Sequence, residues 1–450
     1  MVDFELSEFN INFGFKDRQH VELLKRQIEA GYELPIEVYE ENGVYKIIDG
    51  GHAWIAYKEL GKEPKNIRVL TFKDDAEKIA YSRHKNINRL QQTPVTYTKS
   101  IFQELKLRLG VEKDEEVKRI LRRLYNLKYH KEKYKQNKED EINNNIVVTV
   151  FRNEPIAWGP FTQHNLDYLD FPLWLAEMVD RGELSAAQAS ILNKKEVVEK
   201  LDEDTRKRLA VLLKGKSVKE TEKGIDELVR FEPQIFNVWN FPSCNPLFGM
   251  DDVPGRIPGQ IVQNVLHYWT REGDLVVDPM AGGGTTIDVC NLMGRRCLAY
   301  DKNPVRSDIE KWDLNNGFPS ECINCDLIFL DPPYWRLQKG SYGDGSVSDL
   351  TYQEWLEFMG TLAKNSYKTV KKGGHVSLLL ASFLDERDTG LFLDLPFECA
   401  GFFKEAGFIQ AQRVSVPMTS QIKDQRDVEY AKEKGILLDL NRDLIIFRKD

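Results

Sequence analysis

Two short apolar runs, Leu275–Val277 and Leu327–Leu330, are each followed at once by an aspartate and a proline. Three or four apolar residues bounded by turn-formers are typical of a strand buried on both faces, as in a parallel sheet. In open α/β sheets, ligands bind just beyond the carboxyl ends of such strands. The sequence therefore predicts an α/β domain with a site near Asp278 and Asp331.

The first run leads through Asp278-Pro-Met-Ala-Gly-Gly-Gly-Thr-Thr286 into an apolar helix over Ile287–Met293. A strand, a glycine turn and a helix are typical of cofactor sites, because glycines let the backbone approach a ligand closely. No lysine follows the glycines as in a P-loop, which argues against an NTPase. Asp278, at the tip of the strand, could hold a cationic amine.

Further acids follow the next predicted strands. The strand Arg296–Tyr300 ends at Asp301, whose carboxylate can accept hydrogen bonds from the two hydroxyls of a ribose. Asp313 lies where a side chain could bind a purine amino group. Each acid alone could be a capping residue, but their recurrence at strand ends favours one nucleoside-binding site.

The turn Asp331-Pro332-Pro333-Tyr334 follows the second apolar run. An exocyclic amino group is a poor nucleophile, because its lone pair is delocalised into the ring. Hydrogen bonds from its N–H groups to the Asp331 carboxylate and the Pro332 carbonyl would favour a pyramidal nitrogen. Pro333 fixes its own φ and holds that carbonyl in place, and Tyr334 could stack on a base flipped out of a duplex.

These motifs resemble the amino-methyltransferases that modify the exocyclic nitrogen of adenine or cytosine in DNA. The resemblance covers residues 231–450 and rests on VVDPMAGGGTT, LAYDKNP, LIFLDPPY and RDLIIFRK. It implies a Rossmann-like domain that uses S-adenosylmethionine. The implied cofactor-binding residues are Asp278, Pro279, Ala281, Gly282, Gly284, Thr285, Asp301 and Asp313. The implied catalytic residues are Asp331, Pro332, Pro333 and Tyr334.

Aspartate rather than serine before Pro-Pro-Tyr leans, by this resemblance, toward adenine N6. Cytosine N4, an RNA substrate, and a DNA-binding or partition protein with an inactive methyltransferase half stay open. No long insertion separates the glycine turn from Asp331, so target recognition falls to the N-terminal half or is tolerant of sequence.

Residues 1–92 predict an α+β domain. Two strands flank a turn at Asn42-Gly43, and Asp49-Gly50-Gly51-His52 opens a helix whose N–H groups suit an anion. The stretch IIDGGHAWIAYKELG resembles the N-terminal domain of ParB-type partition proteins and sulfiredoxins. Their nucleotide-using members carry an arginine where Ala53 stands, which argues against nucleotide hydrolysis. His52 either contacts an anion or caps the helix.

Residues 93–230 predict a helical domain, with a mobile loop or an insertion over the polar stretch Asn137–Asn145. The segment from Trp158 to Leu192 resembles the second half of the ParB helix-turn-helix region. By that resemblance a helix that could enter the major groove begins at Thr162, Gln163, His164 and Asn165; an exposed polar helix start is the alternative. A basic stretch with tyrosines, including Arg122 and Arg123, is either a phosphate-contacting strip or a solvated helix face.

The chain is therefore predicted to be multidomain, with double-stranded DNA as partner and a homodimer left open. Its formal net charge is −8, which argues against non-specific coating of nucleic acid. No apolar stretch is long enough for a membrane span, and Met-Val-Asp-Phe-Glu-Leu lacks the features of a signal peptide, so a cytoplasmic location is expected. Cys322 and Cys325 are interpreted as buried thiols, and no metal site is predicted.

Overall fold

The computed structural model describes residues 4–6, 18–88, 94–130, 132–335, 346–384, 392–418 and 425–450. Its contacts divide the chain into two compact units, Met1–Ser190 and Ile191–Asp450. The predicted domain limits at residues 92 and 230 stay a prediction. Among the described residues, no helix combines the length and apolar character that a membrane crossing requires.

The first unit begins with a four-stranded mixed sheet in the order β1-β3-β2-β4. Its strands are β1 (Glu5–Leu6), β2 (Ile36–Glu41), β3 (Val44–Asp49) and β4 (Ile67–Leu70). Helices α1 (Arg18–Glu29), α2 (Gly51–Glu59) and α3 (Asp75–Asn88) accompany it. The predicted hairpin is confirmed: β2 and β3 pair antiparallel, and both turn residues have positive φ, 54° at Asn42 and 79° at Gly43.

Helices form the rest of this unit. They are α4 (Pro94–Leu109), α5 (Asp114–Tyr129), α6 (Lys138–Phe151), α7 (Trp158–His164), α8 (Leu173–Asp180) and α9 (Ala186–Leu192), with a 3₁₀ turn over Leu166–Asp170. Their shared core includes Ile101, Leu105, Leu121, Val147 and Phe161, all fully buried.

The predicted mobile loop over Asn137–Asn145 is wrong. The Asn137 side chain accepts from the Asp140 N–H, and the Asp140 side chain accepts in return, which is a capping box that starts α6. The polar residues form the first turns of this helix, and Val147, Val150 and Phe151 supply its buried end. A polar composition therefore did not exclude a helix.

The predicted start of a recognition helix at Thr162–Asn165 is also wrong, since α7 ends at His164. Thr162 is buried, and its hydroxyl donates to the carbonyl of Trp158 at 2.8 Å. Asn165 is buried too, and its amide donates to the Thr98 hydroxyl at 3.1 Å. Gln163 and His164 remain exposed. The aromatic residues before this stretch drive its burial, because Trp158 and Phe161 enter the helical core.

The second unit opens with α10 (Lys195–Lys200), α11 (Glu203–Leu212), α12 (Val218–Val229) and α13 (Gly259–Trp269). A seven-stranded sheet follows in the order β12-β13-β9-β8-β5-β6-β7. Its strands are β5 (Leu275–Asp278), β6 (Arg296–Asp301), β7 (Glu310–Lys311), β8 (Cys325–Leu330), β9 (Val370–Ala381), β12 (Ile409–Pro417) and β13 (Asn441–Arg448). Strands β5 to β9 pair parallel, and β13 is antiparallel to both neighbours.

Helices and a small ribbon complete this unit. The helices are α14 (Thr285–Leu292), α15 (Tyr352–Thr369), α16 (Leu395–Glu405) and α17 (Gln425–Lys434), and the ribbon pairs β10 (Phe383–Leu384) with β11 (Phe392–Leu393). Cys322 and Cys325 are free and fully buried, which confirms their interpretation as core thiols.

The order of strands fixes where a ligand can bind. From β5 the chain proceeds outward to β6 and β7, and it then returns to β8 and β9 on the other side of β5. The carboxyl ends of β5 and β8 are therefore neighbours at the point where the strand order reverses, which is the usual ligand site of such sheets. The predicted Rossmann-like α/β domain is confirmed.

Candidate active site

A cavity of about 750 Å³ lies at this edge of the seven-stranded sheet. Residues at the ends of four strands line it: Asp278 at the end of β5, Asp301 at the end of β6, Asp331 directly after β8, and Ala381 at the end of β9. The parallel strands end at the same edge, so carboxylates that are far apart in sequence meet in one wall.

The glycine turn after β5 is held by backbone hydrogen bonds. The Ala281 N–H donates to the Tyr300 carbonyl at 2.9 Å, and the Gly284 N–H donates to the Ala281 carbonyl at 2.8 Å. Gly282 and Gly284 have φ of 48° and 84°, in the region that favours glycine. A Cβ on Gly282 would meet nothing within 4 Å, so this part of the loop is open to the cavity.

Most of the predicted cofactor residues line this cavity. Pro279, Ala281, Gly282 and Thr285 belong to its wall with Asp278, Asp301 and Asp313. Gly284 does not; it lies behind the wall, where the Arg306 guanidinium packs on it.

Asp301 ties β6 to the glycine turn. Its Oδ2 accepts from the Gly282 N–H at 3.0 Å and its Oδ1 accepts from the Asn303 N–H at 2.8 Å. A carboxylate offers about four lone pairs, so each oxygen can accept one more hydrogen bond from a ligand. Such geometry suits the two adjacent hydroxyls of a ribose.

Asp313 lies close by, because the Trp312 N–H donates to the Asp301 carbonyl at 2.9 Å. Its Oδ1 caps a short 3₁₀ turn by accepting from the Asn315 N–H at 3.0 Å, and the Lys302 ammonium lies 3.5 Å from its Oδ2. Trp312 also lines the cavity and offers an aromatic surface there.

Asp278 is the most deeply buried of these acids, with 4% of its surface exposed. Its Oδ1 accepts from the Met280 N–H at 3.1 Å. Burial raises its pKa to about 7, and the carboxylates of Asp331 and Asp301 add to the increase. A cation in the cavity would favour the ionised form.

The turn after β8 places Asp331 beside the same cavity. The Tyr334 hydroxyl donates to its Oδ1 at 3.0 Å, and Pro332 is buried. Burial raises the pKa of Asp331 to about 6, although the Arg442 charge and the Tyr334 hydrogen bond both oppose this increase. Asp331 is therefore an acceptor whose charge depends on its neighbours.

Trp335 packs instead of facing the cavity. It is 6% exposed, its indole N–H donates to the Leu350 carbonyl at 2.9 Å, and its ring meets Phe383 edge to face at 4.9 Å. Residues 336–348 are rich in Gly, Ser and Asp, which predicts a mobile loop over the site, and they lie outside the described residues as far as residue 345. Ser346 and Val347, which follow, line the cavity.

Arg442 is a site residue that the sequence motifs did not reveal. It is the second residue of β13, is 8% exposed and lines the cavity. A lone cation at the head of the apolar strand Leu444–Phe447 was the available signal. The segment 241–258 supplies much of one wall, including Phe241, Ser243 and Ile257, to which the sequence motifs assigned no role.

Two arginines predicted to bind DNA differ in their surroundings. Arg122 is exposed on α5. Arg123 makes a bidentate pair with Asp140, with Nε at 2.5 Å from Oδ1 and Nη2 at 2.8 Å from Oδ2. This pair joins α5 to the start of α6, so Arg123 has a structural partner that a phosphate would have to displace.

A family model for DNA methylases matches residues 35–311, more than half of the chain. The chain belongs to the DNA methylase family. The matched residues of this DNA methylase include the glycine turn and Asp301, and they end before Asp331.

A curated relative of the DNA methylase is the orphan methyltransferase M.BamHII of Bacillus amyloliquefaciens, which is 28% identical over 85 residues. The aligned part is 18% of this chain and 32% of the relative, so the chain spans about a third of the length of that relative.

The similarity of this chain to solved structures is low. TrmN from Thermus thermophilus has a TM-score of 0.28 and 17% identity over 44% of this chain and 50% of its own. TTHA0409 from Thermus thermophilus, a putative DNA modification methylase solved with S-adenosyl-L-methionine, has a TM-score of 0.21 and 16% identity over 29% and 49%. TM-scores this low do not establish a shared fold.

S-adenosyl-L-methionine is the cofactor of the DNA methylase, and the cavity fits this molecule. The volume of the cavity suits a ligand of nucleoside size. The open backbone at Gly282 allows close approach, and Asp301 retains acceptors for a ribose. Asp278 supplies negative charge for a ligand that carries a sulfonium and an ammonium group.

Proposed function

We propose that this DNA methylase transfers a methyl group from S-adenosyl-L-methionine to the exocyclic amino group of a base in double-stranded DNA, with adenine N6 as the first choice. One observation carries the proposal: the Asp331 turn and the glycine turn line the same cavity at the reversal of strand order. This arrangement supports a base acceptor beside a cofactor loop.

When bound, the cofactor supplies an electrophilic methyl group on a sulfonium. The residues of the chain bind and orient. Asp301 accepts hydrogen bonds from the ribose, Trp312 and Asp313 bind the purine, and Asp278 faces the positive charge. The positions of these side chains in the cavity wall support these roles.

Asp331 and the Pro332 carbonyl accept hydrogen bonds from the amino group of the base. This makes the nitrogen more pyramidal and directs its lone pair outward, and Pro333 limits the freedom of the turn. The Tyr334 hydroxyl fixes the Asp331 carboxylate, while its ring is available for stacking. Catalysis is then mainly alignment, because two reactants held in line need no strong base.

Recognition of DNA is assigned to the N-terminal half. The exposed side chain of Arg122 supports this assignment. A ParB-like character of the first domain, and of the helices after it, remains part of the proposal. The target base must leave the duplex to reach a site at a sheet edge.

The test uses the full chain with labelled S-adenosyl-L-methionine and either duplex DNA or RNA. After digestion to nucleosides, mass spectrometry should find N6-methyladenine from DNA. N4-methylcytosine would correct the choice of base, and a methylated nucleoside from RNA alone would correct the polymer. The absence of transfer to either polymer would refute the enzyme, leaving a DNA-binding protein as the alternative.

A further inference from the structure

Arg306 lies in the segment between β6 and β7, behind the cavity wall, and its side chain is 21% exposed. Its guanidinium donates hydrogen bonds to two carboxylates, those of Asp288 and Asp308. Nη1 and Nη2 donate to Asp288 at 2.9 and 2.8 Å, while Nε and Nη2 donate to Asp308 at 2.9 and 2.6 Å. Bidentate pairs of this kind fix orientation as well as supplying energy. The hydrogen bond from Arg306 also lowers the pKa of Asp308.

The same guanidinium packs on the backbone of the glycine turn. Nη1 lies 3.3 Å from the Gly283 carbonyl and 3.4 Å from the Gly284 carbonyl, to both of which it donates. A Cβ on Gly284 would stand only 2.4 Å from Nη1. The cofactor loop and the arginine are therefore in direct contact, with no side chain between them.

Asp288, on α14, extends this contact to a third segment. It is 6% exposed, and its Oδ2 also accepts from the Gly249 N–H at 2.7 Å. Next to it, the Met250 N–H donates to the Gly283 carbonyl at 3.1 Å. Arg256 fastens this segment by donating to the Phe248 carbonyl at 2.8 Å.

One buried carboxylate and one arginine thus join three segments, residues 249–250, 283–284 and 306–308. Each segment continues into the cavity wall. The first is flanked by lining residues 241–244 and 254–258, the second by 279–283, and the third by 301–303 and 312–315. The pair thus contacts three stretches of chain that continue into the cavity wall, although neither Arg306 nor Asp288 lines the cavity itself.

We propose that Arg306 and Asp288 are positioning residues that hold the glycine turn and the Asp301–Asp313 segment in the geometry that binds the cofactor. The proposal rests on the proposed function only in taking S-adenosyl-L-methionine and its demethylated product, S-adenosylhomocysteine, as ligands. Because the pair acts on the cofactor walls and not on Asp331, its loss weakens cofactor binding more than it slows transfer at saturating cofactor.

The experiment measures the Kd of the full chain for S-adenosylhomocysteine by calorimetry, which requires no catalysis. Arg306→Lys keeps a cation beside Asp288 but cannot form two bidentate pairs, so the Kd should rise about tenfold, or ~1.4 kcal/mol. Asp308→Asn weakens only the more exposed of the two ion pairs that Arg306 makes, and it should raise the Kd about threefold. In transfer assays, Arg306→Lys should raise the KM for the cofactor similarly and leave kcat within about twofold.

Arg208→Lys is the matched control. Arg208 fastens the other end of α14, donating to the Leu292 carbonyl at 3.0 Å and pairing with Glu272 at 3.0 Å, and it is 30% exposed. It should lower thermal stability as Arg306→Lys does and leave the Kd within about twofold. An equal rise of Kd in both variants would mean that the effect comes from a general loosening of α14. It would overturn the proposal.

An unchanged Kd in Arg306→Lys, with the wild-type chain binding normally, would overturn this proposal alone. A fall in kcat with no change in Kd or KM would also overturn it, since the pair would then act on transfer. A wild-type chain that binds no S-adenosylhomocysteine would instead overturn the proposed function, and this inference with it.

Discussion

The Asp331 carboxylate accepts a hydrogen bond from the Tyr334 hydroxyl at 3.0 Å. It lies in the wall of a cavity that the ends of β5 and β6 also line. The hydrogen-bond partners of Asp331 differ from those of the acids at the glycine turn, so one carboxylate need not bind both the cofactor and the base. The acids Asp278 and Asp301 are tied to the glycine turn by backbone N–H groups, whereas Asp331 is tied to the side chain of its own turn. At the scale of the residue, we therefore expect substitutions to separate cofactor binding from base binding.

Asp331→Ala should abolish most transfer while preserving cofactor binding. It removes an acceptor for the amino group, and loss of one such aligned group typically costs about 10²–10³-fold in rate. The Kd for S-adenosylhomocysteine should stay within about threefold, as measured by calorimetry beside single-turnover transfer. Tyr334→Phe, which keeps the ring and loses the hydrogen bond, should cost much less. A large loss of cofactor affinity in Asp331→Ala would show that its role is misassigned.

The pH dependence of transfer should report the ionisation of Asp331. Its pKa is raised to about 6, so the carboxylate forms as the pH rises through that value and the rate should climb to a plateau above it. Arg442→Met removes a cation that lowers this pKa, so the acid limb should move to higher pH. The measurement is kcat between pH 5 and 8 at saturating cofactor, whose positive charge should keep Asp278 ionised.

Arg448→Met serves as the control for that shift. Arg448 ends the same strand and pairs with Asp450 at 2.8 Å, outside the cavity wall. Its profile should match that of the wild-type chain. A profile that moves equally in both variants would mean that net charge, not the proximity of Arg442, sets the acid limb.

Elements were predicted well where local chemistry decides them. The hairpin at Asn42-Gly43 and the strands that end in Asp278 and Asp331 follow from turn residues and short apolar runs. The polar stretch of α6 and the residues at the end of α7 were misinterpreted, because a helix needs only one apolar side and its burial depends on partners elsewhere in the chain.

Gly284→Ala tests the contact between the glycine turn and Arg306. The substitution places a Cβ 2.4 Å from Nη1 at a φ of 84°. Gly273→Ala is matched to it, since Gly273 has a φ of 86° and open space within 4 Å. Gly273→Ala should cost about 1–2 kcal/mol for the left-handed conformation alone.

The free energy of unfolding of Gly284→Ala should fall by a further ~1–3 kcal/mol, the usual cost of overpacking. Denaturant unfolding of both variants measures the difference. Equal losses would mean that Arg306 moves aside freely and does not support the loop.

At the scale of the whole molecule, every residue of the cavity wall belongs to the unit Ile191–Asp450. A fragment of residues 191–450 should therefore fold cooperatively and bind S-adenosylhomocysteine with the affinity of the full chain. Thermal unfolding and calorimetry check both expectations. Failure to bind would show that the first unit completes the cofactor site.

The same fragment should bind duplex DNA at least about tenfold more weakly than the full chain does, if the N-terminal half supplies phosphate contacts. The salt dependence of binding should also become shallower, because fewer counterions are released. Fluorescence anisotropy between about 50 and 200 mM salt measures both. A fragment with full affinity and an unchanged slope would refute the assignment of DNA binding to the N-terminal half.

The sequence by itself determined the strands, the glycine turn and the acids at the strand ends, because each depends on a few adjacent residues and on the rule that parallel strands share a carboxyl edge. Only the tertiary structure decided which residues meet there from elsewhere. Arg442 reaches the cavity from the last strand, and Arg306, Asp288 and Gly249 meet behind the glycine turn. Contacts between distant residues arise from packing, which local periodicity does not encode.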